Sequence, residues 1–330
     1  MKDMQYRKFQ SDYIAEVGLG TWQLGSADWG IIDEAKAFEI LDTYVSLGGN
    51  FVDTADVYGS GTSERLIGKF LKQTEHQLHI ATKLGRRHDE PNGWPQNFTY
   101  DAIRRHVEDS LLHLGLDQLF LEQLHCIPTE ELRRGEVFDH LRRLQEEGLI
   151  KYFGVSVETI EEAHICLAHT DIASLQIIFN LLRQHLAESF FNQANEQGTA
   201  LIARVPLASG LLSGKFTNET KFADKDHRFF NANGDAFNVG ETFSGIAFEE
   251  GIALVDEIKA IVGVEKLAQQ SIRWILQHEA ITTVIPGASS PNQVRSNIEA
   301  AEIPPLSLDT LTRLRDLYDS KIKSRIRGKV

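Results

Sequence analysis

With 330 residues, an apolar fraction of 42% and a charged fraction of 25%, the chain has the make-up of a globular protein with ample material for a large core, which excludes a disordered or low-complexity chain. The 34 Lys and Arg against 47 Asp and Glu leave a formal net charge of −13, which speaks against a nucleic-acid partner, whose binding rests on cations neutralising phosphates. Cys126 and Cys166 stand in neither a CxxC nor a His-containing metal spacing, so a disulfide framework is excluded.

The opening residues, Met1 to Lys8, lack the apolar stretch of a signal peptide, and no run reaches the roughly 18 apolar residues needed to cross a bilayer. A cytoplasmic protein without a membrane partner is therefore expected. From there short β-rich runs alternate with amphipathic helical stretches, the pattern of parallel βαβ units. The spacing predicts a strand at Glu16–Leu19, a helix at Glu34–Leu47 between Asp33 and Gly48, a strand at Phe51–Asp53 and a helix at Glu64–Lys72 behind Ser63. Next come strand Leu78–Lys83, helix Tyr100–Leu114 before Gly115, strand Phe120–His125, helix Val137–Glu147 before Gly148 and strand Phe153–Val155. Helix Ile160–Ala168, strand Leu175–Phe179, helix Ala187–Gln197 before Gly198 and strand Ala200–Val205 continue the series. From Ala208 to Ala247 the rhythm breaks into a Gly-, Asn-, Phe- and Ser-rich stretch, which reads as a lid or binding loop, the alternative being a disordered insertion. Helices Phe248–Ile261 and Ser271–His278, strand Thr282–Ile285, helix Ser290–Ala300 and a terminal amphipathic helix Leu308–Ile322 complete the chain. The basic run Lys321, Lys323, Arg325, Arg327 and Lys329 reads as decoration of an exposed helix end, with contact to an anionic membrane the lesser alternative.

Eight strand–helix units without a composition break predict an α/β fold: a (β/α)₈ TIM barrel in a single domain, 1–330, with a long loop after strand 7 and a C-terminal helix. The rival is an open doubly wound sheet. Against it, Gly18-Leu19-Gly20 runs into Thr21-Trp22-Gln23 instead of a third glycine and a helix opening.

Three predicted strands end in a polar residue after an apolar run: Asp53, Lys83 and His125. Consecutive parallel strands have neighbouring C-terminal ends, so in a barrel these three meet on the face where active sites form, with Tyr58 on the adjacent loop. Singly, each reads as a cap, a solvated strand end or a satisfied rim residue; together they point to catalysis. Reducing a carbonyl by hydride transfer requires a proton for the developing alkoxide. Tyrosine, with a pKa of about 10, holds its proton tightly, and a neighbouring lysine kept charged by a carboxylate makes it more acidic. Asp53, Lys83 and Tyr58 form such a relay, and His125 can donate a hydrogen bond to the substrate oxygen.

Asp53-Thr54-Ala55-Asp56-Val57-Tyr58-Gly59 with Ser63-Glu64 resembles the D-T-A-x-x-Y-G…S-E signature of the aldo-keto reductase superfamily, in its bacterial, general-stress-protein-like form. Thr82-Lys83, Gln123-Leu124-His125, Gly148 to Ser156, Gln176, Pro206 to Lys215 and Ile285-Pro286-Gly287-Ala288 follow in family order, so the resemblance spans nearly the whole chain. It implies Tyr58 as general acid/base, with Asp53, Lys83 and His125 completing the tetrad, and no metal. It further implies an extended NADP(H), with NAD(H) the alternative, bound without a Rossmann motif. Thr21 and Trp22 join the cofactor-binding set, and Ser156 and Gln176 match the holders of the nicotinamide carboxamide, although Val157 stands where an asparagine is usual. Arg204 replaces a common tyrosine before Pro206 and Leu207; either it stacks on the nicotinamide or it makes a structural salt bridge. Ser209, Gly210, Leu212 and Ser213, with Lys215, are placed to meet the pyrophosphate. Gly287, Ser289, Gln293 and Asn297 fall at the adenosine end, with Arg295 a candidate for a 2′-phosphate.

The substrate is a carbonyl or alcohol small molecule, a sugar among the candidates, and the oligomeric state is not specified. Trp22, Trp29, Trp94, Phe229 and Phe230 either line an apolar pocket or pack. Arg86, Arg87 and His88 read as a solvated loop, with attraction of an anionic or sugar substrate the alternative. Two competing functions remain: a cofactor-binding accessory subunit with little turnover, and a Schiff-base enzyme using Lys83.

Overall fold

The computed structural model describes residues 4–25, 33–88 and 96–329. Two antiparallel strands, β1 (Tyr6–Phe9) and β2 (Asp12–Ala15), open the chain. They are followed by β3 (Leu19–Gly20), α1 (Trp22–Gly25), α2 (Glu34–Ser46), β4 (Phe51–Asp53), α3 (Thr62–Leu71), β5 (His79–Leu84), α4 (Tyr100–Leu114) and β6 (Leu119–His125). The next stretch holds α5 (Thr129–Arg134), α6 (Glu136–Glu146), β7 (Ile150–Ser156), α7 (Ile160–Leu167), β8 (Ser174–Ile178), α8 (Leu186–Gln197) and β9 (Ala200–Arg204). Beyond it come α9 (His227–Phe230), α10 (Phe248–Val262), α11 (Leu267–Leu276), β10 (Ile281–Val284), α12 (Pro291–Glu299) and α13 (Leu308–Leu317).

Strands β3 to β10 pair in sequence order, all parallel, in one eight-stranded sheet. Parallel bridges Val17–Val284 and Gly20–Gly287 join its two ends, with Gly18 N donating to Val284 O at 2.8 Å and Val284 N to Glu16 O at 3.0 Å. The sheet is therefore a closed (β/α)₈ barrel, and the open-sheet alternative falls away. A side chain on Gly20 would bring its Cβ to 2.9 Å from Ile285 O, so the seam needs glycine there.

Helix signals worked where a side chain or a left-handed residue does the capping. Asp33 accepts from Lys36 N at 2.8 Å, and Gly115 and Gly198 close α4 and α8 at φ 68° and 73°. Ser63 is not a cap, contrary to expectation. Helix α3 starts from Gly61 at φ 79°, and the buried Ser63 hydroxyl donates toward Thr21 Oγ1 at 3.0 Å. The first barrel strand also lies further along than predicted, at Leu19–Gly20, because Glu16 and Val17 meet β10 only through isolated bonds.

The β1–β2 hairpin had no counterpart in the predicted elements. Its Phe9 and Ile14 are fully buried and join Phe51, Phe120, Leu121 and Ile202 in a cluster that fills the N-terminal end of the barrel. The larger core lies between the strands and the helices. Thr129–Arg134 adds a short helix that no predicted element covers. No helix among the described residues is long and apolar enough to cross a membrane.

Candidate active site

The C-terminal ends of β4, β5 and β6 deliver Asp53, Lys83 and His125 to one place, as consecutive parallel strands must. Lys83 is 1% exposed; its Nζ donates to Asp53 Oδ1 at 2.5 Å, to Thr54 O at 2.7 Å and to the Tyr58 hydroxyl at 3.3 Å. Burial alone would lower the lysine pKa, but Asp53 and Tyr58 outweigh it, so the ammonium is held charged. The second Asp53 oxygen accepts from Gln176 Nε2 at 2.8 Å and Gln123 Nε2 at 3.2 Å, so the carboxylate is fixed from both sides.

Tyr58 is half-buried, its ring stacked against Trp22 at 6.0 Å and set edge-on to His125 at 6.0 Å. Desolvation raises its pKa and the Lys83 ammonium pulls the other way without cancelling it, so the phenol keeps its proton above the usual range. The acidifying effect of lysine is thus present but outweighed. His125 is pushed well below the usual imidazole range by burial and by Arg86, Lys83 and Arg204, which keeps the ring neutral.

Two cavities meet at Tyr58 and His125. A cleft of about 910 Å³ runs from Tyr58 between the loop after β9 and the start of α12. A pocket of about 370 Å³ lies on the other side, walled by Trp22, Val57, Phe237 and Ala236, with Arg86, His88, Cys126 and Glu241. Of the residues expected at a cofactor, Thr21, Trp22, Gln176, Arg204, Pro206, Leu207, Ser209, Gly210, Lys215, Gly287, Ser289, Gln293 and Asn297 line the cleft. Ser156 and Leu212 are not among its lining residues: Ser156 Oγ accepts from Cys126 Sγ at 3.4 Å, and Leu212 N donates to Leu207 O at 3.1 Å. Gly210 N also donates to Leu207 O, and Ser209 Oγ to Glu241 O, so these expected phosphate donors are spent within the loop. Arg295 does not line the cleft, whereas Lys266 does.

Arg204 makes the salt bridge that competed with the stacking role, Nη1 to Glu241 Oε1 at 3.5 Å, and its Nη2 donates to Val157 O and Cys126 Sγ, both at 3.4 Å, while its Nε is buried without a protein partner. Glu241, from the long loop, also meets Arg86 at 3.4 Å, and the two arginines hold its carboxyl below the usual range against the opposing effect of burial. Nothing in an aperiodic loop marked Glu241. Gln123 was readable, since it lies two residues before His125 on one strand and so faces the same way, into the barrel. Ligand atoms of Cys126, Glu158 and Glu241 lie within 4.8 Å of one another, a spacing a metal could use, yet Arg204 and Arg86 already stand among them.

The loop residues differ from their predicted surroundings. Arg86 and Arg87 are not solvated: Arg87 pairs with Asp56 at 2.7 Å and Asp109 at 2.6 Å. Phe229 points to solvent at 56% exposure, Phe230 packs on Phe237, and Phe237 takes the place at the pocket wall. Trp29 and Trp94 lie outside the described residues.

Residues 16–319 match the profile described as the aldo/keto reductase family. The chain belongs to that family. Among the proteins similar to this aldo/keto reductase, YhdN of Bacillus subtilis, an aldo-keto reductase, is 28% identical over 296 residues, covering 86% of this chain and 83% of that one. Aldo-keto reductase AKR11C1 from Bacillus halodurans, in its holo form, superposes with a TM-score of 0.78 at 26% identity, over 98% of this chain and all of that one. The glycerol dehydrogenase AKR11B4 from Gluconobacter oxydans does so at 0.76 and 26% identity, covering 98% and 97%. This aldo/keto reductase is accordingly an oxidoreductase by family, and the residues lining its cleft fit a dinucleotide. The volume is at the upper end of small-molecule sites, about 300–1,000 Å³, and buried polar atoms without a protein partner, Arg204 Nε and His125 Nδ1, belong to residues lining it.

Proposed function

We propose that this protein is an NADP(H)-dependent reductase that converts an aldehyde or ketone into its alcohol, with Tyr58 giving the proton. The observation that carries this reading is the Asp53–Lys83–Tyr58 chain, 2.5 Å and then 3.3 Å between polar atoms, with Asp53 and Lys83 buried and Tyr58 opening on both cavities. When bound, the nicotinamide supplies the hydride. The protein's own residues do the rest. Tyr58 passes its phenolic proton to the carbonyl oxygen as charge develops there, and the Lys83 ammonium stabilises the phenolate left behind. Neutral His125 donates a hydrogen bond that orients the same oxygen. Gln176 spends its amide nitrogen on Asp53 and keeps Oε1 for the cofactor amide. Lys215 and Lys266, both lining the cleft, are the cations offered to cofactor phosphates.

The second pocket supports a small hydroxylated carbonyl substrate, a short sugar among them. Aromatic walls from Trp22 and Phe237 suit C–H faces, and Arg86, His88 and Glu241 suit hydroxyl groups. That one similar structure is a glycerol dehydrogenase agrees with this choice.

The deciding experiment titrates the protein with NADPH and NADH by fluorescence, then assays a panel of aldehydes, ketones and sugars. Turnover is expected to fall at least about a hundredfold in Tyr58→Phe while NADPH binding persists. Lys215→Ala should weaken NADPH more than NADH. Tight cofactor binding without turnover on any carbonyl would move the protein to the accessory role, and borohydride trapping of substrate on Lys83 to the Schiff-base one.

A further inference from the structure

Arg87 stands apart from the two cavities described above. It lines neither the cleft nor the pocket, and its guanidinium is committed to two carboxylates on different elements. Nε donates to Asp56 Oδ2 at 2.7 Å, on the turn between β4 and α3, and Nη1 donates to Asp109 Oδ2 at 2.6 Å, on α4. Its own backbone is fixed, since Asn97 Nδ2 donates to Arg87 O at 2.8 Å. Asp56 is two residues from Tyr58, and its amide donates to Lys83 O at 3.1 Å, so this turn is bonded directly to the strand that carries the lysine.

We propose that Arg87 is a positioning residue: by gripping Asp56 and Asp109 together it fixes the Tyr58 turn against β5 and α4, and so holds the Tyr58 hydroxyl at Lys83 Nζ. This rests on the reading of Tyr58 as the proton donor. The chemistry of the site explains why an arginine stands here. The Asp56 side chain is wholly buried, and Glu64 of α3 and Glu122 of β6 are buried with it behind the barrel wall. Glu64 is met by Thr82 Oγ1 at 2.6 Å and His113 Nδ1 at 3.0 Å, and His106 of α4 is also buried in this layer. Among the charged groups acting on Asp56, Arg87 is the cation that opposes burial and the Glu64 charge. A buried carboxylate stripped of its partner must take up a proton or move toward water, and either change loosens the turn. Only the planar fork spans two carboxylates from separate elements; an ammonium group is a single point charge.

Desolvation, partly offset by Arg87, pushes the Asp56 carboxyl up to about 7, so the ion-paired form of the grip gains weight as pH rises through neutrality. That gives a test beyond simple loss of fold. In Arg87→Met, reduction should slow about tenfold or more, since misplacing a reacting group by about 1 Å costs on that order or more. NADPH affinity should stay within about twofold of wild type, as Arg87 does not line the cleft. Tyr58, isolated by subtracting the Tyr58→Phe trace from an ultraviolet tyrosinate titration, should ionise at higher pH in Arg87→Met because its contact with Lys83 is loosened. If Arg87→Met does not fold, Asp56→Asn decides: it keeps an acceptor for Nε but not the charge. Its deficit relative to wild type should then be several-fold near pH 8 and nearly absent near pH 6, where the wild-type carboxyl is already mostly protonated. An unchanged kcat and unchanged Tyr58 titration in folded Arg87→Met, or an equal Asp56→Asn deficit at both pH values, overturns the proposal. If wild type turns over no carbonyl, the reading of function fails by itself, and the Tyr58 titration still decides the grip.

Discussion

At Tyr58 two effects oppose each other, and in the proposed reaction their balance sets the direction of proton flow. Burial raises the phenol's pKa, and the Lys83 ammonium, 3.3 Å from the hydroxyl, recovers part of the shift. The protonated form is the one that reduction needs and it prevails below the raised pKa, so reduction should hold on the alkaline side until above about pH 10 and then fall. Oxidation of an alcohol needs the phenolate and should rise over that same range. His125 stays neutral under burial and three nearby cations, so its ionisation adds no limb at neutral pH. Steady-state pH profiles of kcat/KM in both directions check this. A limb near neutrality that disappears in His125→Asn, rather than in Asp56→Asn, would contradict it. These site positions were legible to unequal degrees. Asp53, Lys83 and His125 announced themselves as polar ends of apolar strands, a pattern that topology converts into proximity. Arg87 gave no such signal: a basic run on a loop resembles a solvated face, and its two partners lie 31 and 22 residues away.

Among the elements, regular segments were legible because an internal period marks them; Tyr100–Leu114 runs between the residues predicted. The hairpin at β1 and β2 was not. Its strands are four residues each, and what makes them strands is the barrel floor they cover. The long loop, 208–247, is held by its surroundings in the same way. It has one short helix and a few turns, and its fixed points come from elsewhere. Glu241 joins it to Arg204 and Arg86, and Arg327 ties it to the tail of the chain. Far from decorating an exposed end, Arg327 donates to Gly245 O at 2.9 Å, Ala232 O at 2.8 Å and Asn233 Oδ1 at 3.0 Å. At about 0.5–1.5 kcal/mol for each bond, losing them amounts to a few kcal/mol of local stability. Arg327→Ala should therefore speed proteolytic nicking within 208–247 several-fold while the global melting temperature changes little. Limited proteolysis read by mass spectrometry tests this, and an unaltered nicking rate would show that the tail does not hold the loop.

At the scale of the whole molecule, the barrel separates stability from chemistry by placing them at opposite ends. The C-terminal end carries the buried Asp53–Lys83 pair, both cavities and the long loop, an assembly whose desolvation costs are retained for reactivity. The N-terminal end is closed by the hairpin and filled with rings: Phe9 lies 5.4 Å from Phe120, 5.6 Å from Tyr152 and 6.4 Å from Phe51. Because Phe9 has no exposure at all, Phe9→Ala leaves a cavity in this floor and should cost about 3–5 kcal/mol. Strand β4 ties the two ends together, since it begins at Phe51 in the floor and finishes two residues later at Asp53 beside Lys83. If the floor merely supports the barrel, Phe9→Ala should lower the melting temperature by several degrees yet leave kcat and NADPH affinity within about twofold, because β4 is also held by ladders to β3 and β5. A loss of kcat matching the loss of stability would mean instead that the strand transmits floor packing to the Asp53–Lys83 pair, and that the two ends do not act independently.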